Sequence, residues 1–555
     1  MCVRTYDMSG ALPAASSSEL PGRGRRWEWV AALWTCLVYA LAVRAGSITD
    51  DATLLFDNPL MANSAGWRSL LSSDIAGDAA VTQYFRPLPL LTFWLQFRVG
   101  SSLGVLHAGN VVLMAGAAAA LVHYLRQQWP ALSPLAALAL ACAWIAHPLQ
   151  SEAATWLSGR FDACLLLFSV LSLGANLRPE RRWLTPLALA PALLSKESAV
   201  VLVPVLLAQD FVGARRLREE LPKYAALAVL VLGYFSLRHA VGVASSSVLS
   251  MSSPWQLAEA YAVLLGTFSV STLWPRALDV HHWFAPLPTA LTIAILSSVT
   301  AALIGSTVAL LRRKSWALGP FLALISLVPI ALVLPPQRVY GDRFASLFLL
   351  GGVLFVAGLR PRRWLAPLAV LLALLGAVRT QFRLLEWRTL ETLEVAALQR
   401  DPENPHWLLL SAYRHVDAGE LASASSALER SLDAAPDYAK AWGLSCLLEI
   451  RQRHPLEALR ACDWAIVGAP SVASHHVNRA SALLNLGDMA GAEQAARTAL
   501  ALRTPYPEAE FVLAAALANL GRETEARSHV DLGLRQEPGH AGLRSLDAQL
   551  RTHGY

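Results

Sequence analysis

The sequence predicts an all-α protein in two parts, a polytopic membrane domain followed by an α-solenoid. Three observations predict it. Of 555 residues, 55% are hydrophobic and only 15% charged, against about 25% charged in soluble proteins. Apolar runs of bilayer-crossing length recur up to residue 381, and beyond it a helical pattern repeats every 34 residues. The formal charge of +6 calls for no nucleic acid, because membrane proteins gather Arg and Lys in their cytoplasmic loops.

Residues 1–22 are rich in Ser, Ala, Pro and Gly and read as a disordered cytoplasmic tail. Arg23, Arg25 and Arg26 precede an apolar run from Trp27 to Val43. That run reads as a retained first span rather than a cleaved signal peptide, since many spans follow. Further spans are expected near 104–125, 131–146, 155–177, 184–195, 198–213, 223–241, 288–311, 316–335, 343–359 and 364–381, eleven in all. The basic clusters at Arg126, Arg178/Arg181/Arg182, Arg215/Arg216/Arg218, Arg312/Arg313/Lys314 and Arg360/Arg362/Arg363 fall on the cytoplasmic side by the positive-inside rule. A full crossing by 256–275 would throw the last two clusters outward, so that segment is expected to be re-entrant or interfacial. The membrane domain thus covers 23–381, in a bacterial inner membrane or an endoplasmic-reticulum type membrane. Its N-terminus is cytoplasmic and the part that follows it is extracytoplasmic.

The polar residues that need a special reason collect on the outer face. The first outer loop, 47–103, carries Asp50, Asp51 and Arg86. Later outer segments carry His147, Glu152, Arg160 and Asp162, then Lys196-Glu197, then Asp279-Val280-His281, then Asp342-Arg343. Ionisable groups at membrane spans are costly and mark cavities or partners. Two readings stand. A buried ion network ties the helices together, or Arg160, Lys196 and Arg343 hold an anionic ligand, a task suited to the planar arginine fork. At helical spacing Glu152 and Arg160 lie about two turns apart, whereas Arg160 and Asp162 do not face one another. Adjacent histidines and the lack of HExxH disfavour zinc, while a divalent ion held by Asp279 and His281 stays open. No P-loop, dinucleotide fingerprint or GxSxG element occurs.

From 382 to 545 the chain reads as tetratricopeptide repeats. Ala424, Ala458, Ala492 and Ala526 share one register, and Ala412, Cys446, Ala480 and Ala514 share another. Pro402, Pro436, Pro470 and Pro538 keep the same period, with Pro505 one residue late, and Gly419, Gly487 and Gly521 mark turns. Four repeats are expected from 405 to 540, after a degenerate helix at 386–402 continuous with the last span. Such an array offers a groove for an extended acceptor protein or peptide, or packs on a neighbour. Cys446 and Cys462 are expected to pack as small apolar residues unless the domain meets an oxidising compartment.

Several motifs occur in a fixed order: Asp50-Asp51 with Phe56-Asp57-Asn58-Pro59, Tyr84-Phe85-Arg86-Pro87-Leu88, His147-Pro148 with Glu152, and Trp156-Leu157-Ser158-Gly159-Arg160-Phe161-Asp162. Leu194-Ser195-Lys196-Glu197-Ser198, Leu273-Trp274-Pro275, Leu278-Asp279, Asp342-Arg343 and Glu386-Trp387-Arg388 follow. Together they resemble the multispanning membrane proteins with C-terminal tetratricopeptide repeats, whose eukaryotic members are protein O-mannosyltransferases of the type C glycosyltransferase fold. The resemblance covers nearly all of the chain after residue 27. It departs at Phe344-Ala345-Ser346-Leu347-Phe348, where the family has Tyr-Leu-Tyr-Leu-Pro, and at Val280-His281-His282, where it has a Tyr.

The resemblance implies a polyprenyl-phosphate-linked sugar as donor, mannose or another hexose, and a hydroxyl acceptor on protein Ser or Thr. Asp50 or Asp51 would take the proton; Arg160, Lys196, Arg343 and Arg86 would bind the donor phosphate. His147, Glu152, Asp162, Glu197, Asp279, His281 and Asp342 would support them. Two other readings remain at this stage: a non-catalytic scaffold recruiting partners through the repeats and, with no visible internal symmetry, a transporter.

Overall fold

The computed structural model describes residues 25–48, 51–71, 84–241, 253–334, 338–359 and 363–552. Asp50, the 1–22 segment and the Arg360/Arg362 pair lie outside these residues. The chain divides into two compact units, residues 1–280 with 284–392, and residues 393–555 with the short segment His281–Trp283.

The first unit is helical. Its main helices are α1 (Arg26–Val38), α2 (Pro87–Val99), α3 (Leu103–Gln128), α4 (Pro134–Ala146), α5 (Ser151–Thr155), α6 (Arg160–Asn176), α7 (Leu184–Ser195), α8 (Leu202–Val212), α9 (Leu217–Ala240), α10 (Pro254–Leu273), α11 (Thr289–Leu311), α12 (Leu318–Ser326), α13 (Ser346–Gly358) and α14 (Leu365–Glu386). Among the described residues, α3, α9, α11 and α14 are long and apolar enough to cross a membrane alone, and α5 with α6 makes a fifth if that bent pair is one span. Of the eleven expected spans, others are shorter apolar helices, among them α4 and α7. The 256–275 segment forms one unbroken helix, α10, rather than a broken loop.

Three expectations change here. The run read as a span over 155–177 begins only at Arg160, because a break after Thr155 sets α5 and α6 at 113°. Glu152 and Arg160 therefore sit on different helices, and the two-turn spacing between them does not apply. The break is built at Gly159, where a Cβ would overlap the Glu152 carbonyl oxygen. The 316–335 run forms one short apolar helical stretch, Ser315–Ala331, with a one-residue turn at Leu327 ahead of Pro329. Finally, α14 ends at Glu386 and a separate helix α15 (Leu390–Arg400) follows, so the last span does not run on into the repeats.

Among the described residues, the second unit comprises most of α15, four helix pairs and a closing helix. The pairs are α16 (Pro405–Asp417) with α17 (Leu421–Ala434), α18 (Ala439–Arg451) with α19 (Pro455–Gly468), α20 (Ala473–Leu486) with α21 (Met489–Leu502), and α22 (Pro507–Asn519) with α23 (Glu523–Gln536). The closing helix is α24 (Ala541–Thr552). All eight small residues of the two registers, from Ala412 to Ala526, are 0% exposed. Only a side chain of that size lets two helices cross so closely. Gly419, Gly487 and Gly521 take positive φ at the turns inside the pairs. The second pair has Arg453 at the equivalent place, also with positive φ.

Cys446 on α18 and Cys462 on α19 form a disulfide, with Cα atoms 5.1 Å apart. This corrects the expectation that both are packing residues. The 34-residue register puts both cysteines where neighbouring helices touch, close enough for bonding as well as packing.

Candidate active site

One short segment, from Glu152 through the bend to Asp162, touches Asp51, Arg86, Lys196, Asp342 and Arg343. It is held from behind by Asn110 on α3. The Asn110 Nδ2 donates to the Trp156 carbonyl at 2.7 Å, and its Oδ1 accepts from Arg160 Nε at 2.7 Å. A buried amide thus fixes both ends of the break.

Successive residues of the bend then face different partners. The Trp156 ring lies 4.5 Å from the Arg343 guanidinium carbon. Ser158 donates its backbone N–H at 3.2 Å and its hydroxyl at 2.8 Å to Asp51 Oδ1. The other Asp51 oxygen accepts from the Ile48 N–H at 3.1 Å. Asp51 is fully buried, and its carboxylate ties the loop after α1 to the start of α6. The Phe161 ring faces Arg86 at 5.3 Å, and Asp162 accepts from Lys196 Nζ at 2.7 Å.

Three cations consequently cluster, each beside a carboxylate and an aromatic face. Arg86 grips Glu197 with two bonds, 2.7 and 3.2 Å, and lies 4.3 Å from the Tyr84 ring. Lys196 pairs with Asp162, and Arg343 with Glu152 at 3.0 Å. The Phe344 ring sits between these two, 4.6 Å from Lys196 Nζ and 4.7 Å from the Arg343 guanidinium carbon. Glu152 also accepts the Asp342 N–H at 2.8 Å, and the same N–H lies 3.1 Å from the Asp279 carbonyl oxygen.

Electrostatics follow from this crowding. Burial alone would raise the Glu197 carboxyl, but Arg86 outweighs it and holds the group at about 2. Burial pushes Lys196 below its ordinary range; Asp162 opposes this, while the neighbouring charges of Arg86 and Arg343 add to it. His147 caps α4, faces the Thr272 carbonyl at 3.1 Å, and is pushed by burial down to about 4, so it is neutral at pH 7.

Arg160 is placed differently from the other three cations. Its guanidinium is 1% exposed and lies over the Phe93 ring at 3.5 Å. It donates to Asn110, to the Leu106 carbonyl and, at 3.4 Å, to the Thr92 hydroxyl. Its partners lie on α2 and α3. His281 belongs to the second unit, where the Asn404 amide donates to its carbonyl at 3.0 Å. No group of three or more His, Cys, Asp or Glu suited to a metal ion occurs among the described residues.

Sequence reasoning missed Asn110 and Arg383. Arg383, fully buried on α14, bonds Glu386 and lies 4.0 Å from Asp342. An Asn within the apolar 104–125 run and an Arg at the end of the last span were the available signals.

No family model matches the chain. Over 194 residues it is 25% identical to Protein O-mannosyl-transferase F38B6.6 of Caenorhabditis elegans, covering 33% of this chain and 28% of that one. Over 182 residues it is 29% identical to Protein O-mannosyl-transferase Tmtc2 of Drosophila melanogaster, covering 30% of this chain and 19% of that one. The chain is similar to protein O-mannosyl-transferases. The match spans less than a third of either relative's length. Among solved structures, a thermophilic TPR protein of Thermus thermophilus covers 34% of this chain and 96% of its own, with 25% identity and a TM-score of 0.26. MamA of Desulfovibrio magneticus RS-1 covers 29% and 88%, with 13% identity and a TM-score of 0.25. The repeat assignment rests on the helix pairs and their buried small residues.

Proposed function

We propose that this protein is a membrane glycosyltransferase that moves a hexose, mannose by its resemblance, from a polyprenyl-phosphate donor to a Ser or Thr hydroxyl on the extracytoplasmic side. The observation that carries this reading is the convergence of Asp51, Arg86, Lys196 and Arg343 on the Glu152–Asp162 segment. In the reaction the acceptor oxygen attacks the anomeric carbon while the bond from that carbon to the lipid phosphate breaks. The bonding pair leaves on the phosphate, and the hydroxyl proton passes to a carboxylate, Asp50 or Asp51. Attack from the face opposite the leaving group inverts the anomeric centre. Arg86, Lys196 and Arg343 stabilise the charge that grows on the phosphate. Arg160, buried under Phe93, acts here by positioning the bend.

The disulfide between Cys446 and Cys462 supports an oxidising, extracytoplasmic location for the repeats. There their groove would present the acceptor polypeptide. A scaffold without catalysis is the competing reading, favoured by the carboxylate beside each of the three cations. Mass spectrometry of outer-compartment glycoproteins and polyprenyl-linked sugars, in cells with and without the protein, separates the two. The transferase reading expects a hexose to vanish from Ser/Thr sites on deletion. An unchanged glycoproteome supports the scaffold.

A further inference from the structure

Helix α14 closes on the Glu386-Trp387-Arg388 motif, which takes no direct part in the transfer chemistry. A helix end leaves its last carbonyls without partners inside the helix. Here two are taken up from elsewhere in the first unit. The Glu386 carbonyl accepts from the Thr392 hydroxyl at 2.8 Å, and the Trp387 carbonyl from the Gly46 N–H at 3.1 Å. Gly46 lies in the loop after α1, and a Cβ there would stand 2.7 Å from the Arg388 carbonyl oxygen, an approach that suits glycine. Two residues further along that loop, the Ile48 N–H donates to Asp51 at 3.1 Å. The backbone of Trp387 therefore anchors the loop that carries Asp51.

The side chain of Trp387 reaches the other half of the site. It is 0% exposed, and its ring centroid lies 6.5 Å from that of Trp156. Trp156 is the ring that the Arg343 guanidinium carbon faces at 4.5 Å. Arg383, one turn before Trp387 on α14, lies 5.8 Å from the Trp387 ring and 4.0 Å from Asp342, the sequence neighbour of Arg343. One residue thus touches the carboxylate loop through its carbonyl and the ring beneath a phosphate-binding cation through its indole. Filling space would need only the indole.

We propose that Trp387 is a positioning residue for the transfer reaction, setting Asp51 through Gly46 and Arg343 through Trp156. The inference rests on the transferase reading. Its test is steady-state transfer by the full chain in detergent, with polyprenyl-phosphate mannose and a Ser/Thr-containing polypeptide, beside melting temperatures. Trp387→Leu removes the ring and keeps the carbonyl, so the donor KM should rise about tenfold while kcat stays within about twofold. Trp387→Phe restores an aromatic ring and should recover most of that loss. Gly46→Ala pushes the loop off the Arg388 carbonyl and should lower kcat about tenfold, with the donor KM near wild type. It leaves Trp387 intact, and its kcat decides the matter if Trp387→Leu does not fold. Trp129→Phe is the control for lost packing alone, since Trp129 is buried just past α3 and bonds Ser315. It should lower the melting temperature and leave both constants unchanged. Unchanged constants in folded Trp387→Leu and Gly46→Ala, or the same changes in Trp129→Phe, would overturn the inference and leave the transferase reading standing. No transfer by wild type would overturn that reading, and the inference with it.

Discussion

Asp51 Oδ1 accepts two hydrogen bonds from Ser158, from its backbone N–H at 3.2 Å and its hydroxyl at 2.8 Å. A carboxylate from the loop after α1 thereby sets the start of α6, and with it the side chains that reach Arg86, Lys196 and Arg343. Ser158→Ala removes one of these bonds and should cost about 1 kcal/mol, with transfer reduced but retained. Asp51→Asn keeps the shape and removes the charge, and should abolish transfer if Asp51 is the base. Thermal melting in detergent beside a transfer assay separates the two effects.

The bend itself is tested at Gly159. A Cβ there has no room against the Glu152 carbonyl. Gly159→Ala should lower stability by about 1–3 kcal/mol and reduce folded yield, measured by size-exclusion profile and melting temperature.

Arg160 is expected to behave as a positioning residue. Arg160→Lys keeps a positive charge but cannot reproduce the fork to Asn110 and Leu106. Melting temperature should fall, while KM for the donor in the folded fraction stays near wild type. A large rise in donor KM with unchanged melting would place Arg160 on the phosphate instead.

The Arg86–Glu197 pair sets a pH dependence. Glu197 is held at about 2, below its ordinary 4.5. A depressed carboxyl contributes stability above the unfolded value and loses it as pH falls toward the folded one. Melting temperature should therefore drop between about pH 5 and pH 2, and the drop should be shallower in Glu197→Gln.

The disulfide joins residues 16 apart. Replacing Cys446 and Cys462 by Ser should cost the repeat unit about 3 kcal/mol. Alkylation without reductant should leave both cysteines unlabelled, and labelling of both would contradict the pairing.

The repeats were legible because their small residues recur at a fixed period and each is needed at a helix crossing, as Ala458 and Ala480 show. The loop residues were legible as charges in an apolar chain, but their partners, Asp162 for Lys196 and Glu152 for Arg343, were not. The bend at Trp156–Gly159 was not legible, because Ser158, Gly159, Arg160 and Asp162 read equally as polar residues near the end of a span, and only a close backbone approach requires the glycine. Nor was the difference between Arg160 and Arg343. Both are arginines beside aromatic rings, and which one faces Asn110 depends on packing between α2, α3 and α6.

The central claim is transfer from a lipid phosphate by the cluster around the bend. The direct measurement incubates purified full-length protein with polyprenyl-phosphate mannose and a Ser/Thr-containing acceptor polypeptide, and follows the anomeric configuration of the product by NMR. The expected result is an inverted mannosyl product from wild type, lost in Asp51→Asn or Asp50→Asn and reduced at least tenfold in Arg343→Gln, about the 1.4 kcal/mol of transition-state stabilisation that one cation supplies. Transfer unchanged in all three variants, or a product of retained configuration, would contradict it.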